Sequence, residues 1–242
     1  MTYDEAVALV SEPIVPAETK TYMPVPNENL FKLITNITSE YLGKEPESFG
    51  AKLNKTGDQM FGSINYANGA EDTQMQIGFR NSYNKTLPVG LIAGASVIVC
   101  GNGMFVGDIM TVRKHTSNVW NDINDIIQTF CDIIEPSYKE TQWKKDKMKM
   151  NVVGDQTGAH LLGEMFVIEE ILTTPMLNIA KKEWLEPQHD SFKGRNAWSL
   201  FNACTEAMKH SHPSEAMERH QSLDKFFVDE FDLKNDEHLV NA

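Results

Sequence analysis

The feature that most constrains the fold is an apolar run at residues 89–100, which is rich in β-branched residues and interrupted by glycines. Such a run is typical of a buried strand. Residues 74–80 alternate apolar and polar side chains, residues 60–66 predict a further strand, and 101–103 (GNG) fits the tip of a hairpin. We therefore predict an antiparallel, meander-like β-sheet of four or five strands.

Helical periodicity flanks the predicted sheet on both sides. Before the sheet, Asn27 is a candidate N-cap for a helix that Gly43 ends. After the sheet, Ser117 or Asn118 can cap a helix that Pro136 ends. Further helices are predicted at 158–173, from 174, at 197–209 and, as a short helix, from 213. This order of elements predicts the α+β class, with a helix before the sheet and a helical lobe after it.

The same pattern divides the chain into four parts. Four prolines in residues 11–27 indicate an extended segment, so we predict an N-terminal arm that begins with a short helix. The predicted parts are the arm at 1–27, an α+β core at 28–136, a helical lobe at 137–222 and an acidic, partly disordered tail at 223–242. Phe226, Phe227 and Phe231 are candidate anchors for the tail.

The composition limits the function classes. A net charge of -12 opposes coating of nucleic acid by the whole surface, although a local basic patch stays compatible with binding. No stretch is long and apolar enough to predict a transmembrane helix, and the first residues do not read as a signal peptide. Three distant cysteines argue against a disulfide framework, so we expect a reducing cytoplasm.

Polar residues stand at the ends of the predicted strands. Because antiparallel pairing brings strand ends together, we expect six of these residues to share one surface or rim of the sheet. They are Arg80, Asn81, Ser82, Asn102, Arg113 and His115. Cys100 reads either as a small core residue or as a nucleophile activated by His115. Asn84 fits local capping of a turn.

One face of the predicted helix at 197–209 is apolar. Its residues at helical spacing are Trp198, Phe201, Cys204, Ala207 and Met208. We predict that this face packs toward the core. Asn202 and Glu206 lie four residues apart on another face, so we expect them to point together toward a neighbouring element.

Three motifs resemble a known family. They are RNSYNKT at 80–86, VIVCGN at 97–102 and NACTE at 202–206, the last of which contains Asn202, Thr205 and Glu206. The pattern resembles a family of phage- and plasmid-like proteins, labelled as a domain of unknown function. Asn84 stands where the family commonly has Asp, and Gly101 where it commonly has Ser. The resemblance implies an origin in a mobile element and no particular reaction.

The segment 138–149 is basic in an otherwise acidic chain, and its lysines are interleaved with aromatic residues. Lysines contact phosphates and aromatic faces stack on unpaired bases, so the segment is a candidate nucleic-acid site. The alternative interpretation is a solvated linker between helices. The candidate nucleic-acid-binding residues are Arg80, Lys85, Arg113, Lys114, His115, Tyr138, Trp143, Lys144, Lys145 and Lys147.

Motifs for metals and cofactors are absent from the sequence. It contains no P-loop, no dinucleotide fingerprint, no paired-cysteine motif and no zinc-protease motif. His160 and Glu164 supply only two ligands at helical spacing, whereas a structural zinc site uses four. We expect neither a metal nor a cofactor.

Three functions are compatible with these features. The first is a mobile-element accessory protein that binds single-stranded nucleic acid in replication or recombination, since a sheet followed by helices is similar in outline to single-strand annealing proteins. The alternative is a protein-binding effector that inhibits a host factor or defence system, which the acidic surface and the ends of the chain favour. The third is an enzyme that uses Cys100 and His115. We expect no membrane partner, and the sequence leaves a homo-oligomer open.

Overall fold

The computed structural model describes residues 1–68, 72–99, 101–112 and 118–234. Its helices are α1 (Tyr3–Ser11), α2 (Asn27–Leu42), α3 (Val119–Met150), α4 (Asp155–Val167), α5 (Thr174–Leu185), α6 (Ala197–Met208) and α7 (Ala216–Glu230). Its strands are β1 (Ser48–Leu53), β2 (Gln59–Tyr66), β3 (Thr73–Ser82), β4 (Val89–Val97) and β5 (Gly103–Val112). A short 3₁₀ turn covers Asp190–Phe192. The α+β prediction is confirmed.

The strands form one antiparallel sheet in the order β1-β2-β3-β4-β5, so the predicted meander is confirmed. Alternation along each strand gives the sheet two faces. The apolar face carries Ile64, Ile77, Phe79 and Leu91 and packs against α1, α2 and the first half of α3. The polar face carries the residues between them, among which are Gln74, Gln76 and Arg80 of β3.

Close packing on the apolar face depends on glycine at one position. Gly62 lies opposite Phe79, and a Cβ atom on Gly62 would come within 2.4 Å of the Phe79 ring. The ring therefore lies directly over the backbone of β2. Phe79 also meets Phe31 of α2 edge to face, with ring centroids 5.1 Å apart. Such aromatic pairs stabilise beyond the area that they bury.

Helix α3 continues through Pro136, so the prediction that this proline ends the helix is wrong. A proline inside a helix removes one hydrogen bond and normally breaks the helix. Pro136 is exposed, whereas Phe130, Ile134 and Met148 on either side of it are buried. Apolar packing before and after the proline therefore outweighs its local cost. The predicted boundary between core and lobe at 136 falls within this single helix.

Other element predictions differ in detail. Strand β1 was not predicted, although Phe49, Ala51 and Leu53 alternate with Ser48, Gly50 and Lys52 and pack against the apolar core. Asn27 is the first residue of α2 rather than its cap, and α4 begins and ends earlier than predicted. The predicted stop at Gly43 is confirmed, with a left-handed φ of 61°. The predicted start of α5 at Thr174 is confirmed, with proline in its first turn.

A second apolar core holds the helical lobe together. Buried residues of α4 to α7 pack with Met148 of α3, and the predicted apolar face of α6 is buried as expected. The first residues of the predicted tail at 223–242 belong to α7. Phe227 is fully buried in α7 and Leu233 is buried just after it. Residues 235–242 lie outside the described part of the chain.

Candidate functional site

Two residues of the first family motif, at 80–86, hold the N-terminal arm against the sheet. The side-chain amide of Asn81 is buried and donates to the main-chain oxygen of Val25, at 2.6 Å, and to the side-chain oxygen of Asn27, at 2.8 Å. The hydroxyl of Tyr83 accepts from the backbone N–H of Asn27 at 2.8 Å. These bonds fix the point where the arm becomes α2.

The rest of this motif closes the loop between β3 and β4. The Ser82 hydroxyl donates to the Leu87 oxygen and accepts from the Leu87 nitrogen. The Asn84 side chain accepts from Thr86, as predicted for turn capping. The ammonium of Lys85 lies 4.3 Å from the centre of the Tyr22 ring in the arm. The contacts of these residues are structural.

Arg80 and Asn81 point to opposite faces of the sheet, because neighbours in a strand alternate. Arg80 is buried on the polar face and pairs with Glu218 of α7. Asn102 lies beyond Val97, at the other end of β4 from Gly90, which pairs with Arg80. The prediction that Arg80, Asn81 and Asn102 share one surface is therefore wrong. The other predicted members, Arg113 and His115, lie outside the described residues, as do Lys114 and Cys100.

The second and third motifs meet between the sheet and the lobe. The buried side chain of Asn102 donates to the main-chain oxygen of Asn202 in α6, at 3.1 Å. Thr205 donates to the same oxygen at 3.1 Å, and the side chain of Asn202 donates to Trp198. Asn202 contacts the neighbouring Asn102 through its main-chain oxygen, whereas its side chain bonds within α6, so the prediction that Asn202 and Glu206 point together toward a neighbouring element is not confirmed. Glu206 is half-buried and pairs with Lys209.

The basic segment forms the second half of α3, and two of its lysines are buried. The ammonium of Lys144 lies 2.7 Å from Asp224 and 2.9 Å from Glu140. Burial alone lowers the pKa of Lys144, but the two carboxylates more than offset this and raise it. Lys145 lies 2.8 Å from Asp72. Lys144 therefore joins α3 to α7, and Lys145 joins α3 to the segment before β3. Neither predicted interpretation of this segment, a solvated linker or a set of phosphate contacts, accounts for these buried ion pairs.

Asp72, which directly precedes β3, connects the basic segment of α3 to the sheet. It pairs with Lys145 and, at 3.0 Å, with Lys149. Burial raises the pKa of Asp72, but the two ammonium groups more than offset this and lower it to about 2. Tyr138 contacts Thr73 through their hydroxyls, at 3.3 Å. Trp143 and Lys147 remain on the outer side of α3, with the ammonium 5.6 Å from the ring centre.

A small hollow lies between the polar face and the segment from α6 to α7. It has a volume of about 130 Å³. Its lining includes Lys52, Phe61, Ser63, Gln76, Gly103, Phe105, Thr205, Ser211 and His220. Three buried polar atoms on this lining have no hydrogen-bond partner among the described residues: Gln76 Oε1, Ser211 Oγ and His220 Nδ1. We call this space the polar hollow.

Burial sets the electrostatics of the hollow and of the described thiols. The pKa of His220 is lowered to about 4 because its ring is buried, so the imidazole is neutral at pH 7. Burial also lowers the pKa of Lys52, whose ammonium donates to the main-chain oxygens of Lys209 and Ser211. Burial raises the pKa of Cys131 to about 11 and raises that of Cys204. Neither thiol is a nucleophile near neutral pH.

Sequence reasoning missed the residues of the polar hollow. Gln74 and Gln76 alternate with apolar residues in β3, and this pattern is typical of a solvent-exposed face. In the folded chain α7 covers that face, and both glutamines are buried. A signal in the sequence was the glycine content of the strands, since Gly78 and Gly90 lie on this face and let Phe105 and Arg80 pack closely against the backbone. Sequence alone could not indicate which element covers that face.

A family model described as Domain of unknown function (DUF932) matches residues 17–227. The chain belongs to this family. The match extends from the arm to α7, so the DUF932 region contains the motif that holds the arm, the Asn102–Asn202 contact and the polar hollow. Neither a curated protein nor a solved structure matched the chain.

Within the described ranges, no group of three or more His, Cys, Asp or Glu side chains is arranged to hold a metal ion. In the same part of the DUF932 chain, none of the helices combines the length and apolar character that crossing a membrane requires.

Proposed function

We propose that this DUF932 chain is a phage or plasmid accessory protein that acts in the host cytoplasm and binds single-stranded nucleic acid in replication or recombination. The observation that carries the proposal is a stripe on the outer side of α3, formed by Lys139, Trp143 and Lys147. We call it the α3 stripe. Its residues are spaced four apart and therefore share one side of the helix.

The α3 stripe combines the two groups that single-strand binding uses. Lys139 and Lys147 are exposed, and Trp143 between them is half-buried. One side of Trp143 packs on the lobe core, which holds the indole in place. Lys147 lies over the ring at a cation–π distance. A base could replace the ammonium on the ring while the lysines contact phosphates on either side.

The internal pairs of α3 narrow the predicted set of binding residues. Lys144 and Lys145 are buried in ion pairs, and breaking the Lys144–Asp224 pair to reach a phosphate would leave the buried Asp224 carboxylate uncompensated. We assign these two lysines a structural role. The family motifs and the order of sheet and helices support the mobile-element setting, the latter by analogy of fold alone.

The test measures anisotropy of a labelled single-stranded oligonucleotide as salt is varied. Wild-type protein should bind modestly and mainly at low salt, because the chain is acidic. Lys147→Glu should weaken binding and reduce the slope of log K against log salt by about 0.7, the effect of one lost phosphate contact. Trp143→Ala should cost about 1–3 kcal/mol of binding if a base stacks on the indole.

The matched control is Lys181→Glu, which makes the same charge change at an exposed position on α5. This variant should bind like wild type. Equal losses in Lys147→Glu and Lys181→Glu would show that only overall charge matters and would reject the α3 stripe. The assembly state, measured with and without the oligonucleotide, tests whether the strand promotes a homo-oligomer.

A protein-binding effector remains the second candidate, and an acidic groove along α7 favours it. The groove has a volume of about 350 Å³ and is lined mainly by Glu164, Glu169, Asp229 and Glu230. A neighbouring hollow of about 230 Å³ shares Glu169 with the groove. Such a surface suits a basic segment of a host protein.

Retention of host proteins on the immobilised chain tests this candidate. Glu169→Lys should release a partner that binds the groove, whereas Glu186→Lys, an exposed change at the end of α5, should not. No retention of single strands at low salt, together with loss of a host partner in Glu169→Lys, would replace the first proposal with this one.

A further inference from the structure

The polar hollow has the features of a built ligand site rather than of a packing defect. Gln76 and Ser211 are 6% and 2% exposed, yet Gln76 Oε1 and Ser211 Oγ have no partner within the described ranges. His220, which is 9% exposed, adds an unpartnered ring nitrogen from α7. Buried polar atoms in folded proteins are nearly always hydrogen-bonded. Three such atoms from β3, the α6–α7 segment and α7 converge on one space.

The charged side chains around the hollow, Lys52 and Lys209, already have partners within the protein. The ammonium of Lys52 donates to two main-chain oxygens, and Lys209 pairs with Glu206. No acidic side chain lines the hollow among the residues that the structure describes. The unpartnered groups are an amide oxygen, a hydroxyl and an imidazole, so an uncharged ligand with both donors and acceptors would complement them.

Aromatic side chains form part of the wall. Phe61 and Phe105 meet edge to face with centroids 6.2 Å apart, and Phe105 meets the His220 ring in the same way at 5.2 Å. Gly103 lets the Gln76 side chain approach the backbone of β5, since a Cβ atom on Gly103 would lie 2.6 Å from Gln76 Oε1. A cavity of about 150 Å³ is known to accept a benzene ring. A hollow of about 130 Å³, open on one side, therefore suits one six-membered ring.

We propose that the polar hollow binds a planar, uncharged heteroaromatic ring the size of a pyrimidine base. A ring N–H would donate to Gln76 Oε1, and a ring carbonyl would accept from the hydroxyl of Ser211. The ring would pack against Phe61 and Phe105. Ring binding in the hollow is separate from strand binding by the α3 stripe, because none of the stripe residues lines the hollow. The ring belongs either to a free base or nucleoside or to a base of a single strand.

The first experiment measures binding of uracil, cytosine, uridine and a short single-stranded oligopyrimidine by calorimetry, with benzene as a ligand of equal size that lacks polar edges. Binding of a pyrimidine but not of benzene is the expected result. A free base that binds while the oligopyrimidine does not identifies a small-molecule site. Loss of oligopyrimidine binding in a hollow variant, with the α3 stripe intact, identifies a strand. Absence of pyrimidine binding in every arm, or equal binding of benzene, would overturn the proposal.

Two variants locate the binding. In Gly103→Ala, the new Cβ would lie 2.6 Å from Gln76 Oε1 and 3.3 Å from the Phe105 ring, so affinity should fall by more than about tenfold. The control Gly163→Ala, on α4, has no atom within 4 Å of its new Cβ and should bind normally. Unchanged affinity in Gly103→Ala would reject the site.

Ser211→Ala keeps the test decisive if Gly103→Ala does not fold. Because the Ser211 hydroxyl has no partner in the described chain, its removal should not lower the thermal midpoint. It should nevertheless weaken pyrimidine binding by about tenfold, the effect of one lost hydrogen bond. Loss of stability without loss of affinity would indicate a purely structural hydroxyl and contradict the proposal.

Discussion

The two faces of the sheet differ although they are made from the same strands. On β3, Ile77 and Phe79 pack into a continuous apolar core with α2 and α3. The residues between them, Gln76 and Arg80 among them, lie under α7 in a partly polar environment. Both faces are buried, but the polar face combines buried polar side chains with a small apolar cluster of Ile92, Phe105 and Met217.

This difference separates stability from binding. Apolar burial stabilises in proportion to the area removed from water and requires no directional contact. Buried polar groups stabilise only when they are paired, so an unpaired set is retained at a cost. We infer that the apolar face holds the fold together and that the polar face is where a ligand gains specificity. Three predictions test this division.

The largest effect is expected on the apolar face. Phe79→Ala removes a fully buried ring that packs on Phe31 and covers Gly62, so the free energy of unfolding should fall by about 3–5 kcal/mol. Urea unfolding followed by circular dichroism measures this. A loss of less than about 1 kcal/mol would mean that the apolar face does not dominate stability.

An intermediate effect is expected from His220, through pH. Because the ring is buried, its folded pKa of about 4 lies below the ordinary histidine value of 6.5, so on acidification the unfolded chain takes up this proton first. The contribution of the neutral His220 ring to the free energy of unfolding is fully present above pH 6.5. It is lost as the pH falls from 6.5 toward 4, at up to about 1.4 kcal/mol per pH unit.

The matched variant for this prediction is His220→Phe, which keeps a ring beside Phe105. Its stability should vary less with pH in that window than the stability of wild type. Ile77→Val, on the apolar face, should keep the wild-type slope. Equal slopes in wild type and His220→Phe would show that the His220 ring is protonated in the fold or is not buried.

The smallest effect is expected from Gln76→Leu, on the polar face one residue from Ile77. The change removes an amide oxygen that has no partner among the described residues, so the free energy of unfolding should change by less than about 1 kcal/mol. Thermal and urea unfolding both measure this. A loss as large as that of Phe79→Ala would show that the two faces contribute alike and would contradict the comparison.

Local patterns predicted much of the fold. Alternating and continuous apolar runs located β2 to β5, Gly43 ended α2, and Thr174-Pro175 began α5. These predictions succeeded because strand alternation, left-handed glycine caps and first-turn proline depend on a few neighbouring residues. The apolar face of α6 was predicted for the same reason.

Tertiary structure decided what each polar residue does. Helix α3 passes through Pro136 because its buried residues on both sides pack against other elements. Lys144 is buried because Asp224, eighty residues later, pairs with it. Gln76 lies in a hollow because α7 returns across the sheet. A local pattern carries no information about a partner that is distant in sequence, and burial of a polar group depends on that partner.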